Sequence, residues 1–139
     1  MSDGLVLDAS AAMAWCFLDE ATPASAALLD RLQDNGADVP HLWHLEIANV
    51  LLAAERRKRI KQAQIADFLG ILASARIRTD HEPAFRAHGP IMLLARAHAL
   101  TIYDATYLDL ALRLKAPLAT RDAALLRAAQ AAKVPLLAA

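Results

Sequence analysis

At 139 residues, 57% hydrophobic and 22% charged, the chain has the length of one compact domain, expected over residues 1–139, and enough apolar material to exclude disorder. Lys and Arg number 15 and so do Asp and Glu, so no overall field draws the chain to nucleic acid or to an anionic membrane, and any basic site has to be local. The single cysteine, Cys16, excludes an internal disulfide framework, reads as a small buried hydrophobe, and suits a reducing cytoplasm.

The opening Met1-Ser2-Asp3-Gly4 lacks the basic region of a signal peptide. The longest run without Asp, Glu, Lys or Arg, Ala9 to Leu18, is too short to span a bilayer, so a soluble protein is expected. Leu5 to Leu7 form an apolar run that ends at Asp8, which predicts a buried strand feeding a helix. Thr22-Pro23 reads as a cap and first-turn proline for a helix over Ala24 to Leu32, which Asn35-Gly36 stops. Asp38-Val39-Pro40 predicts a brief strand, because a proline biases the residue before it toward extended geometry. Trp43 to Lys58, free of Gly and Pro, predicts the longest helix.

Gln62 to Ala75 predicts a further helix with Ile65, Phe68, Leu69 and Leu72 on one face, followed by a strand over Arg76 to Thr79. Pro90 suits the first turn of a helix reaching His98. An apolar Thr101-Ile102-Tyr103 run then leads into a helix from Asp104 to Lys115. Ala116 to Thr120 predicts a strand, Asp122 to Lys133 a helix, and Val134 to Leu137 a last strand. Strand and helix thus alternate from end to end, which implies an α/β fold with a mostly parallel sheet covered by helices on both faces.

In such a sheet, ligands bind in the crevice beyond the carboxyl ends of the strands. Asp8, Asp104 and Asp122 each follow an apolar strand candidate. Glu46 comes from the first turns of the long helix, with Asn49 on the same helical face. If these carboxylates converge, repulsion raises their pKa values unless a cation balances them, and oxygen ligands favour Mg²⁺ or Mn²⁺. Such a site suits phosphodiester hydrolysis. Each acid also has a plainer reading: Asp8, Asp104 and Asp122 as helix caps, and Glu46 as a partner of its helix dipole. Ser10 and Thr120 place hydroxyls beside the acids, for a ligand or for local capping. Asp109, five residues beyond Asp104 and rotated away from it, reads as solvated or structural.

Arg56, Arg57, Lys58, Arg59 and Lys61 form the one dense basic cluster, suited either to an RNA backbone or to the carboxyl end of a helix. His41 and His44 near Glu46 match no established helical zinc spacing and read as surface or packing residues. Trp15, Trp43 and Phe68 read as core anchors, whereas Tyr103 and Tyr107 flank the acids and suit packing or substrate contact equally. An aspartyl-nucleophile phosphatase would need a second Asp where Ser10 stands, and no Gly-rich phosphate loop is present.

Four blocks nonetheless occur together and in order: Val6-Leu7-Asp8-Ala9-Ser10 with Trp15; Pro40 leading to Glu46 and Asn49; Ile102-Tyr103-Asp104-Ala105 with Tyr107; and Leu118-Ala119-Thr120-Arg121-Asp122. In this combination the chain resembles the PIN domain, and in particular the VapC ribonuclease toxins of bacterial toxin–antitoxin pairs. The resemblance implies an α/β/α sandwich in which Asp8, Glu46, Asp104 and Asp122 gather around Mg²⁺ or Mn²⁺, with Asp122 acting through water and Thr120 supporting it. It also implies an RNA substrate, a homodimer, and a small antitoxin that buries a segment in the active-site groove. The alternative is a catalytically silent RNA- or protein-binding module, which would have no electrostatic reason to keep all four acids.

Overall fold

The short apolar runs become the strands of one parallel sheet. The computed structural model describes residues 4–139; the opening Met1, Ser2 and Asp3, expected to lack a leader's basic region, lie outside them. Strands β1 (Val6–Leu7), β2 (Ala37–Pro40), β3 (Ile77–Asp80), β4 (Leu118–Ala119) and β5 (Leu136–Leu137) stand in the order β3-β2-β1-β4-β5. All neighbours are parallel, with Val6 opposite Asp38 on one side and Leu118 on the other. Leu5, Val6, Leu7, Leu118 and Ala119 are all fully buried, as the central strands of a sheet covered on both faces must be. The chain grows outward from β1 through β2 to β3, then resumes at β4 and grows the other way to β5. The reversal lies between β1 and β4, and that is where such a sheet opens a crevice at its carboxyl edge.

Helices α1 (Ala9–Ala12), α2 (Pro23–Asn35), α3 (His41–Arg56), α4 (Gln62–Ser74), α5 (Ala84–Arg86), α6 (Met92–His98), α7 (Ile102–Leu114) and α8 (Ala123–Ala131) flank the sheet. Thr22 opens α2 with a reciprocal cap, accepting from the Ser25 amide at 3.0 Å while its own amide donates to Ser25 Oγ at 2.9 Å. Gly36 ends α2 at φ +73°, and an added Cβ there would run into the Arg76 carbonyl, so this turn into β2 requires glycine. Trp43, Phe68 and Leu72 are buried as expected, but Leu69 is 46% exposed. It lies with Trp43, Ile47, Leu51, Ile65 and Leu72 along an apolar cavity of about 520 Å³ between α3 and α4. No helix of the described residues is long and apolar enough to cross a membrane.

Two expected elements differ. Pro90 does not open a helix: the helical segment starts after Pro83 as α5, widens into a π turn over Ala87–Ile91 that contains Pro90, and continues as α6. Proline has no N–H to donate and its ring crowds the carbonyl one turn back, and the wider turn absorbs both defects without breaking the helix. Nor is Thr101-Ile102-Tyr103 a strand. Ala99 ends α6 in the left-handed region, and the Thr101 hydroxyl then accepts from the Asp104 amide at 3.1 Å, so α7 already begins at Ile102. Ile102 and Tyr103 stay exposed on its first turn.

Asp109 is structural. It is buried in α7, where its carboxylate accepts from Arg86 Nε at 3.0 Å and Nη2 at 2.5 Å and from Arg113 Nε at 3.0 Å. Arg113 in turn grips Asp80 at the end of β3 at 2.7 and 3.2 Å, so one charged network ties α5, α7 and β3 together. Removing one member of a buried pair strands the others. Asp109→Ala should therefore lower stability by about 3–5 kcal/mol; an unchanged urea-unfolding midpoint would contradict this role.

Candidate metal centre

Asp8 stands immediately beyond β1, at the start of α1, in extended geometry (φ −77°, ψ 147°), but its side chain does not cap that helix. Its Oδ2 instead accepts from two hydroxyls, Ser10 Oγ at 2.6 Å and Thr120 Oγ1 at 2.6 Å. Each hydroxyl is oriented by a backbone donor from the loop after β4. Arg121 N–H donates to Ser10 Oγ at 2.9 Å, and Asp122 N–H donates to Thr120 Oγ1 at 3.0 Å. Each hydroxyl accepts one backbone N–H and gives its proton to Asp8, and the ends of β1 and β4 are stitched together across the crevice.

The other acids arrive from different elements. Glu46 projects from the second turn of α3, and its Oε1 accepts the Tyr107 hydroxyl at 2.5 Å. Asp104 comes from the first turn of α7 rather than from a strand end. Asp122 caps α8, its Oδ2 accepting from the Leu125 amide at 2.9 Å. The structure brings these acids within electrostatic reach of one another. Asp8 feels the charge of Asp122, Glu46 feels Asp8 and Asp104, and Asp104 feels Asp122 and Asp8.

Burial is the first cause that raises the pKa of Asp8, and the Ser10 and Thr120 hydroxyls pull the other way. Glu46 is likewise raised by burial against the opposing Tyr107 bond, and Asp104 by burial and then by Asp122 and Asp8. The Tyr107 phenol, fully buried, is driven far above its usual range by burial and by the adjacent carboxylates, so it stays a donor.

No ion pair seen among the described residues relieves this charge. Among the described residues, the ion pairs run from Arg59, Arg78, Arg86, Arg113 and Arg121 to Asp19, Glu20, Asp38, Asp80 and Asp109. None reaches Asp8, Glu46, Asp104 or Asp122. Nor, among the described residues, are three His, Cys, Asp or Glu side chains drawn tightly enough to close around an ion. The donors on offer are carboxylate oxygens only, and they fit Mg²⁺ or Mn²⁺, which take one or two carboxylates directly and keep water for the rest.

The remaining sequence candidates separate. Asn49 is exposed one turn beyond Glu46, and Tyr103 is 64% exposed beside Asp104. Arg56 and Arg57 are exposed at the end of α3. Arg59 is committed, bonded to Asp19 and Glu20 at 3.0 Å and stacked 3.7 Å over the Phe17 ring. Glu20 also faces Arg121 at 3.8 Å, so the basic segment is chained to the loop that carries Asp122. His41, His44 and His81 form an exposed ring cluster, with His44 bonded to Thr79 Oγ1 at 2.9 Å. None of the four acids lines the apolar cavity between α3 and α4.

The fold is that of an α/β protein with a parallel sheet, and Asp8 and Asp122 follow its two central strands. A family model, PIN domain, matches residues 5–131, and the chain belongs to that family, whose members are generally metal-dependent nucleases. The crystal structure of PAE2754 from Pyrobaculum aerophilum is similar in fold, with a TM-score of 0.69 and 24% identity over 92% of this chain and 87% of that one. No curated protein matches.

The raised carboxylates have a consequence for stability. The folded state binds the Asp8 proton more tightly than the unfolded chain, where the pKa is the ordinary 3.8. Folding is therefore penalised progressively as pH rises above that value. Asp8→Asn removes the charge and keeps an acceptor for both hydroxyls. In EDTA at pH 7, this variant should melt above the parent chain, with the gap closing toward pH 4; a variant that melts lower at pH 7 would contradict the electrostatics.

Proposed function

We propose that the chain is a metal-dependent ribonuclease, the toxin of a VapBC-type pair, in which Asp8, Glu46 and Asp104 hold Mg²⁺ or Mn²⁺ and Asp122 acts through water. The observation that carries this reading is the group of buried and half-buried carboxylates in which, among the described residues, Asp8, Glu46 and Asp122 accept from neutral donors, whereas Asp80 and Asp109 take arginines. A bound divalent ion supplies an activated water and positive charge for the phosphoryl oxygens in phosphodiester hydrolysis. The protein's part is to hold the donors: Ser10 and Thr120 fix Asp8, and the α8 cap fixes Asp122. Arg56 and Arg57 offer exposed charge for the RNA backbone.

The toxin reading adds two protein contacts. Besides the acidic groove that receives its segment, an antitoxin needs further accessible surface, and the apolar cavity between α3 and α4, with Leu52 and Leu69 exposed along it, is of the kind a protein partner covers. Phe85, Leu93 and Tyr103, each about two-thirds exposed, offer apolar contacts for a homodimer.

Purified protein should cleave single-stranded RNA with Mg²⁺ or Mn²⁺ and not in EDTA. Asp8→Ala and Asp104→Ala should each lose about a hundredfold or more of that activity while keeping the native circular dichroism spectrum. Metal-independent cleavage, or full activity in both variants, would refute the proposal; RNA bound but left uncut would point to the silent binding module.

A further inference from the structure

We propose that Tyr107 is a positioning residue for the metal centre: its phenol pins one oxygen of Glu46 and leaves the other free of that bond for a divalent cation. The inference rests on the metal reading above and assigns a role to a side chain that touches no ligand itself.

Glu46 has the longest and most flexible side chain of the four acids, and without a restraint it would sample many rotamers in a half-buried setting. The restraint comes from 61 residues away, where the Tyr107 hydroxyl donates to Glu46 Oε1 at 2.5 Å. Tyr107 is itself fully buried, so its ring cannot swing aside. It also sits one turn after Asp104 on α7, and the same helix therefore carries one of the acids and the support of another. A shift of α7 would move both together.

Two of the other acids, Asp8 and Asp122, show the same device. Asp8 has one oxygen held by Ser10 and Thr120, and Asp122 has one oxygen held by the Leu125 amide. In each case a neutral internal donor occupies one oxygen and adds no positive charge that would compete with a cation. An arginine in place of the Tyr107 phenol would neutralise Glu46; the phenol orients it and keeps its charge available. Loss of such a partner of a ligating carboxylate weakens metal binding by about 10- to 100-fold.

The test is Mn²⁺ titration of the intact chain, followed by electron paramagnetic resonance, in the parent, Tyr107→Phe, Glu46→Ala and the double variant. Tyr107→Phe should weaken Mn²⁺ binding about tenfold. The same change made in the Glu46→Ala background should have no further effect, because the phenol acts only through Glu46. Unchanged affinity in Tyr107→Phe overturns the inference, and so does an equal weakening in both backgrounds, which is what general loosening of the core would produce. A parent chain that binds no Mn²⁺ overturns the metal reading as well, so the two failures are distinguishable.

Discussion

The Asp8 carboxylate and its two hydroxyl donors are the interaction on which the arrangement turns. The sheet is built as two wings that meet at β1 and β4, two very short strands paired by backbone hydrogen bonds. Ser10 from the β1 side and Thr120 from the β4 side both give their protons to Asp8 Oδ2, and both take backbone N–H groups from the loop that leads to Asp122. A nearly buried anion thus becomes the junction of the two wings. Placing the negative charge there raises the free energy of the folded state, and the hydroxyl bonds offset only part of it.

The fold handles its other acids differently. Asp109 takes two guanidinium groups, Asp80 takes one, which holds its carboxyl below the usual range, and Asp19 and Glu20 share Arg59. The Asp109 and Asp80 pairs lie at the seam between α5, α7 and β3, where matched charge fixes one packing. At the crevice, matched charge is withheld and donors are neutral. Net neutrality of the whole chain conceals this partition: Arg59, Arg78, Arg86 and Arg113 are taken by acids outside the crevice, and Arg56 and Arg57 stand exposed at the end of α3.

Much of this was legible in residue order. Leu-Val-Leu directly before Asp8, and Leu-Ala-Thr two residues before Asp122, are short runs with an acid at or just past their ends, and that pattern survives because buried parallel strands have little other composition available. Thr-Ile-Tyr before Asp104 carries the same β-rich composition and misleads, because one hydroxyl, Thr101, captures the Asp104 amide and starts a helix where the pattern suggested a strand. Pro90 misleads for a related reason: a π turn can hold a proline that an α turn would expel. The Tyr107 bond to Glu46 and the Arg86 bonds to Asp109 span 61 and 23 residues, and no periodicity encodes contacts made only when helices pack. The five-residue spacing turns Asp109 away from Asp104, and its carboxylate is taken by Arg86 and Arg113 instead.

The central claim is that Asp8, Glu46, Asp104 and Asp122 form a divalent-cation site at the β1/β4 switch point. A crystal of the intact chain grown with Mn²⁺, measured for anomalous scattering at the manganese edge, tests it most directly. The account expects a strong peak among the carboxylates of Asp8, Glu46 and Asp104, with Asp122 reached through water. A peak only at the His41, His44 and His81 cluster, or no ordered manganese at a concentration that supports activity, would contradict it.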